Sequence, residues 1–196
     1  MSLQMTASQT VGPFLHIGFD GTYVSDLTAA AGASLAGERI VIEGCVTDGT
    51  GGTVPDGLIE IWQANAQGRY AHPDDTRALP LDAGFTGFGR VATDEQGRFR
   101  FVTIKPGRVP DASGALQAPH IMVSVFMRGL IKRLATRIYF PDDPANAEDG
   151  VLARIPAARR ATLIACAVAG QAGALNWNVV VQGSAGNADE TVFFDL

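Results

Sequence analysis

The sequence predicts a mainly all-β protein: a β-sandwich of about eight short strands, with an N-terminal arm and one short helix near the C-terminus. Three observations predict it. Short runs rich in β-branched and aromatic residues alternate in polarity, and turn residues separate them. The 23 glycines and 10 prolines are scattered rather than clustered, which suits many short elements joined by turns. A helix start followed by helix-forming residues stands out only at Pro156.

In chain order, residues 1–37 are the arm and a loop. Met1-Ser2-Leu3 reads as an expression-vector remnant and is set aside. Residues 5–18 are too apolar to float: Gly12-Pro13 extends or turns the backbone, and Phe14, Leu15 and Ile17 need a surface to cover. That surface belongs either to another subunit or to the arm's own domain, and His16 packs within the arm. Residues 28–37 are a loop or a weak helical turn. Strands begin at residues 39–47, leave through a turn signal at 48–55, and continue at 57–63. An irregular stretch from Ala64 to Phe85 follows. Strands resume at 88–93, turn through Asp94-Glu95-Gln96-Gly97, and return at 98–104, where Arg98/Phe99/Arg100/Phe101 alternate as a half-buried strand does. Pro106-Gly107 breaks it. The His120 strand and residues 134–140 come next, stopped by Pro141. Pro156 to Ala167 is the helix. Residues 175–182 form an alternating late strand, and 191–196 a last apolar one.

A domain holds roughly 100–200 residues, so residues 1–196 are expected to form a single one. The apolar share of 46% is ordinary for a globular chain and too high for disorder. A net charge of −5 and a pI of about 5.1 argue against nucleic acid or an anionic membrane as partners. The longest apolar candidate, residues 165–174, falls short of the roughly 20 residues that span a bilayer. No basic-then-apolar leader opens the chain. Cys45 and Cys166, each in an apolar context, read as reduced, buried thiols, so a cytoplasmic location is expected.

The chain is organised around residues 118–129, which read as one buried strand. Ile121, Val123, Val125 and Met127 fall on one face; His120, Met122, Ser124 and Phe126 fall on the other. Residues two apart project the same way, which is how one strand offers two ligands to one metal ion. Here the second is a thioether. No Gly-x-Ser-x-Gly elbow, Walker loop or zinc-spaced cysteine pair is present. The 3 histidines, His16, His72 and His120, limit any imidazole chemistry to themselves. On residue type alone, Tyr70 is a half-buried ring with its hydroxyl bonded locally, and His120 is a satisfied core imidazole. His72 with Asp74 and Asp75 is solvated surface, and Arg128 pairs with a nearby acid.

Several motifs, in register over nearly the whole chain, add a second reading. They are Gln9-Thr-Val-Gly-Pro-Phe14 with His16-Ile-Gly18, Leu58-Ile-Glu-Ile-Trp-Gln63, Gly68-Arg-Tyr70, Thr93-Asp94 with Gly97-Arg-Phe99, Ile104-Lys-Pro-Gly107 and Ala118-Pro-His120-Ile121. With them the chain resembles the intradiol ring-cleaving dioxygenases, most closely the protocatechuate-cleaving branch. The resemblance implies a β-sandwich, an assembly of homologous alpha and beta chains, and a ferric ion held by two tyrosinates and two imidazoles. It implies insertion of both atoms of O2 into protocatechuate, giving 3-carboxy-cis,cis-muconate. Hard phenolate oxygens suit a hard trivalent ion.

Carried over one at a time, the ligand positions are Tyr70, Val109, His120 and Met122, and a family arginine becomes Gln117. Valine donates nothing, and a neutral thioether is too soft to replace imidazole on ferric iron. The chain is therefore expected to lack iron, with Tyr70 and His120 left in a vestigial pocket and Fe(3+) in the partner beta subunit. The resemblance further implies a site at the alpha–beta interface, to which this chain gives Thr10, Gly12, Pro13 and Arg128. Gly12 lets backbone approach a flat ring, Pro13 offers a rigid apolar edge, Thr10 adds a hydroxyl, and Arg128 can pair with the substrate carboxylate. Two rival readings stand beside this one: a stand-alone sandwich module that binds or scaffolds, and a self-sufficient enzyme with a rebuilt site.

Overall fold

Alternation of buried and open side chains sorts the strands into two sheets that share a core. The computed structural model describes residues 5–12, 14–15, 17–141, 143–183 and 189–195. Among these, nine strands form: β1 Arg39–Thr47, β2 Leu58–Trp62, β3 Phe88–Ala92, β4 Arg98–Ile104, β5 His120–Phe126, β6 Leu134–Tyr139, β7 Cys166–Ala167, β8 Ala174–Asn176 and β9 Val179–Val180. One sheet runs β4-β1-β8-β7, with β9 also paired to β1; the other runs β3-β2-β5-β6. β1 is antiparallel to β4 and parallel to β8 and β9, whereas the second sheet is antiparallel throughout.

Ile40, Ile42, Phe99 and Phe101 of the first sheet meet Ile59, Ile61, Ile121, Val123 and Val125 of the second in the main core. Each such side chain stabilises the fold by about 1.5–3 kcal/mol on burial. Gln63 pins the two layers together. Its buried amide donates from Nε2 to Ile104 O at 2.9 Å and accepts from Thr103 Oγ1 at 2.8 Å, so it enters the core fully bonded. A second, smaller cluster of Ala118, Tyr139, Ala145, Leu152, Leu163 and Val192 includes the last residue of β6.

The sandwich and the inward and outward faces of the His120 strand are as the sequence predicts. The helix is shorter than expected: α1 spans Ala157–Arg160 and passes into a 3-10 turn at Ala161–Leu163. Strand pairing wins over helix propensity there, because Ala165 N donates to Tyr139 O at 3.0 Å and Cys166–Ala167 joins β8. The late strand is split into β8 and β9 around Trp177 and Asn178. The expected terminal strand reduces, among the described residues, to a bridge between Phe194 and Ala135. The cysteines also correct an expectation. Cys45 lies on the open parity of β1 and is partly exposed, and Cys166 is exposed on a two-residue strand. Among the described residues no helix is long and apolar enough to cross a membrane.

Candidate functional site

The outward face of the β3-β2-β5-β6 sheet carries His120 and Met122, two of the residues singled out by sequence. Directly paired residues share a face, so register defines rows across it. One row reads Phe88, Trp62, Met122, Arg137, one residue from each strand. The next reads Arg90, Glu60, Ser124, Ala135, with Arg90 Nη2 2.5 Å and Nε 2.7 Å from Glu60 Oε1.

Two loops lay Tyr70 and Val109 against this face, and glycine makes their approach feasible. Gly68 has φ +80°, and a Cβ there would stand 2.1 Å from Arg108 O; one on Gly107 would stand 2.5 Å from Gly68 N. Backbone therefore packs on backbone where a side chain has no room. Asn65 holds the first loop, its Oδ1 accepting from Gln67 N at 3.1 Å and Arg69 N at 2.9 Å. Tyr70 N then donates to Asp75 Oδ2 at 2.8 Å. Arg77, 2.6 Å from the same oxygen, holds the Asp75 carboxyl well below the usual range.

The Tyr70 ring lies 5.2 Å from Trp62, centroid to centroid. It borders two hollows: one of about 450 Å³ with Trp62, Phe88, Met122, Ser124 and Arg133, and one of about 420 Å³ with Trp62, His72 and Val109. Tyr70, Val109 and Met122 thus converge on Trp62. His120 is set deeper, 4% exposed, its ring 5.7 Å from Tyr139 and its Nδ1 2.8 Å from Ala118 O. A carbonyl can only accept, so Nδ1 carries the hydrogen and Nε2 keeps its lone pair.

Burial dominates the electrostatics. It pushes the Tyr70 phenol up, opposed by Arg137 and Arg77, and pushes Tyr139 up to about 12. It brings His120 down to about 4, with the Arg137 charge acting in the same direction. Both phenols are protonated and the imidazole neutral near pH 7. Against a ferric ion this set is poor. Tyr70 and His120 Nε2 can donate, Val109 cannot, Met122 offers soft sulfur, and the Arg137 guanidinium is the register partner of Met122. The residues present do not fit the ion. Among the described residues no group of three or more His, Cys, Asp or Glu is placed to hold a metal.

The expected substrate positions lie elsewhere. Gly129 N donates to Thr10 Oγ1 at 2.8 Å, which brings Thr10 beside Arg128. Arg128 Nε pairs with Asp56 Oδ2, its side chain 58% exposed. Gly12 is exposed, with open space where a Cβ would be, and Pro13 and His16 lie outside the described residues. Arg128 follows His120 by eight positions, on the order of 25 Å at about 3.3 Å per residue. The ligand positions that the resemblance implies and the expected substrate positions are therefore two places, one at each end of β5. Sequence reasoning missed Asp56, Arg137, Tyr139 and Asp149. An arginine within the apolar run of residues 134–140 was the one available signal.

A dioxygenase family model matches residues 16–183. The protocatechuate 3,4-dioxygenase alpha chain of Burkholderia cepacia is 41% identical, over 100% of this chain and 99% of its own length. The beta chain from the same organism is 42% identical over 80% of this chain and 65% of its own. Among solved structures, the dioxygenase domain of a carbohydrate-binding fusion protein from Streptomyces sp. SirexAA-E shares the fold. It has a TM-score of 0.61 at 23% identity, over 83% of this chain and 89% of that one.

Proposed function

We infer the role of this chain from its family: it belongs to the intradiol ring-cleavage dioxygenases. Its role is that of the non-catalytic alpha chain of a cytoplasmic protocatechuate 3,4-dioxygenase, acting as one domain against a homologous beta chain. The carrying observation is that two of the four positions a ferric ion needs are Val109 and Met122. The full-length likeness to an alpha chain supports the same reading and favours it over a stand-alone scaffold.

The iron, and with it the activation of the catechol towards O2, is assigned to the beta chain. This chain's own residues bind and orient. Arg128 takes the ring carboxylate as a bidentate partner, in exchange for Asp56. Thr10, Gly12 and Pro13 form one wall, and the arm that carries them leaves Phe14 74% and Ile17 53% exposed, an apolar surface for the beta chain to cover. Holding a flat substrate and keeping water away raises rate through positioning.

Expression with and without the beta homologue tests the assignment. The pair should copurify and open the ring of protocatechuate, and this chain alone should be colourless, iron-free and inactive. Stoichiometric iron and turnover in this chain alone would overturn it.

A further inference from the structure

Arg137 is a permanent cation in the row that carries Met122, and its interactions run towards all four ligand positions. It is the Cα partner of Met122 across β5 and β6. Its Nη1 donates to Tyr139 OH at 3.2 Å, and Tyr139 is the Cα partner of His120. The same Nη1 donates to Gln117 Oε1 at 2.7 Å, and Gln117 N donates to Val109 O at 2.9 Å. Its charge also reaches Tyr70. The counter-charge is one hydroxyl away: Tyr139 OH donates to Asp149 Oδ1 at 3.2 Å, and Asp149 Oδ2 accepts from Ala118 N at 2.8 Å.

We propose that the Arg137 guanidinium takes the metal's part in this pocket, a built-in cation that organises the surviving groups and keeps a metal ion out even when the missing donors are restored. Guanidinium cannot shed its charge in the working pH range, so it repels any cation brought beside it. It also satisfies as a hydrogen-bond donor what a metal would satisfy as a Lewis acid, leaving Tyr139 as a neutral phenol between cation and carboxylate. The pocket is thus refitted rather than emptied. The inference rests on Tyr70, Val109, His120 and Met122 being a lapsed metal site.

The test restores the donors with the cation present and absent. The full chain is prepared as wild type, as Val109→Tyr with Met122→His, and as that double variant with Arg137→Gln or Arg137→Lys. Each is loaded with iron and read by metal analysis and by the visible phenolate-to-iron band, with circular dichroism confirming the fold. The double and Arg137→Lys variants should bind little iron, and Arg137→Gln about ten-fold more, with colour, because only there is the charge gone. If that variant does not fold, Arg137→Met, unbranched and uncharged, replaces it. Equal iron in the double and charge-free variants overturns the proposal, as does a folded charge-free variant that binds no more than wild type. Iron in the wild-type chain would instead sink the functional assignment, so the two failures are distinguishable.

Discussion

The backbone N–H of Gly129 donates to Thr10 Oγ1 at 2.8 Å, stitching the arm to the chain just past Arg128. Residues 119 positions apart are joined at an exposed spot where neither contributes much to the core. A net hydrogen bond there is worth about 0.5–1.5 kcal/mol. Thr10→Val keeps the shape and removes the acceptor. In the assembled enzyme it should raise KM for protocatechuate by roughly two- to ten-fold while leaving the unfolding midpoint almost unchanged. Thr10→Ser should restore KM. Wild-type kinetics in Thr10→Val would show that the arm is held by something else.

Arg128 and Asp56 form the neighbouring pair, with the arginine side chain 58% exposed and the carboxylate 18% exposed. With the guanidinium itself this exposed, the pair contributes little to stability, which leaves Arg128 available for exchange. Arg128→Ala in the complex should raise KM for protocatechuate by roughly ten-fold or more, since a charge-assisted bond is worth about 1.5–3 kcal/mol. Catechol, which lacks the carboxylate, should be affected far less. Equal effects on both substrates would remove the carboxylate role.

Most of the sandwich was legible because burial on one face writes a period of two into β1, β2, β4 and β5, and that period survives folding. The expected ligand positions could be placed from sequence because they lie in motifs fixed by local backbone, such as Gly68-Arg-Tyr70. What was not legible depends on register and on tertiary capture. Arg137 becomes the neighbour of Met122 only once β6 pairs with β5 in a particular register. The expected helix stops at Leu163 because Tyr139 O captures the following backbone, a partner 26 residues upstream of Ala165 in sequence. Cys166 ends up exposed for the same reason.

Asp149 shows how much of the pocket depends on one carboxylate that the sequence did not advertise. It is 0% exposed and accepts from Val151 N at 2.9 Å, Leu152 N at 2.8 Å, Ala118 N at 2.8 Å and Tyr139 OH at 3.2 Å. Asp149→Asn turns one acceptor into a donor aimed at other donors and leaves Arg137 without its counter-charge. Each unsatisfied buried group costs about 1–3 kcal/mol, so the variant should lose about 2–5 kcal/mol by urea unfolding. A loss below about 1 kcal/mol would mean that the loop relaxes and the network is not shared.

His120 makes the fold acid-sensitive. Burial first, and the Arg137 charge second, bring its pKa from 6.5 down to about 4. Between those values the unfolded chain binds a proton that the native ring refuses, so the unfolded state gains as pH falls. The stabilisation is therefore whole above about pH 6.5, declines towards pH 4, and stops changing once the native ring is also charged; it amounts to about 3 kcal/mol. His120→Gln has no proton to take. It should lower stability at pH 7 by removing a packed ring, yet flatten the fall in urea midpoint between pH 6.5 and 4.5. Asp75 cannot mimic this slope: its carboxyl is held low by Arg77, so its contribution is lost only as pH drops through the ordinary carboxylate range, near about 4. Parallel slopes for wild type and His120→Gln would mean that the buried imidazole does not control the acid response.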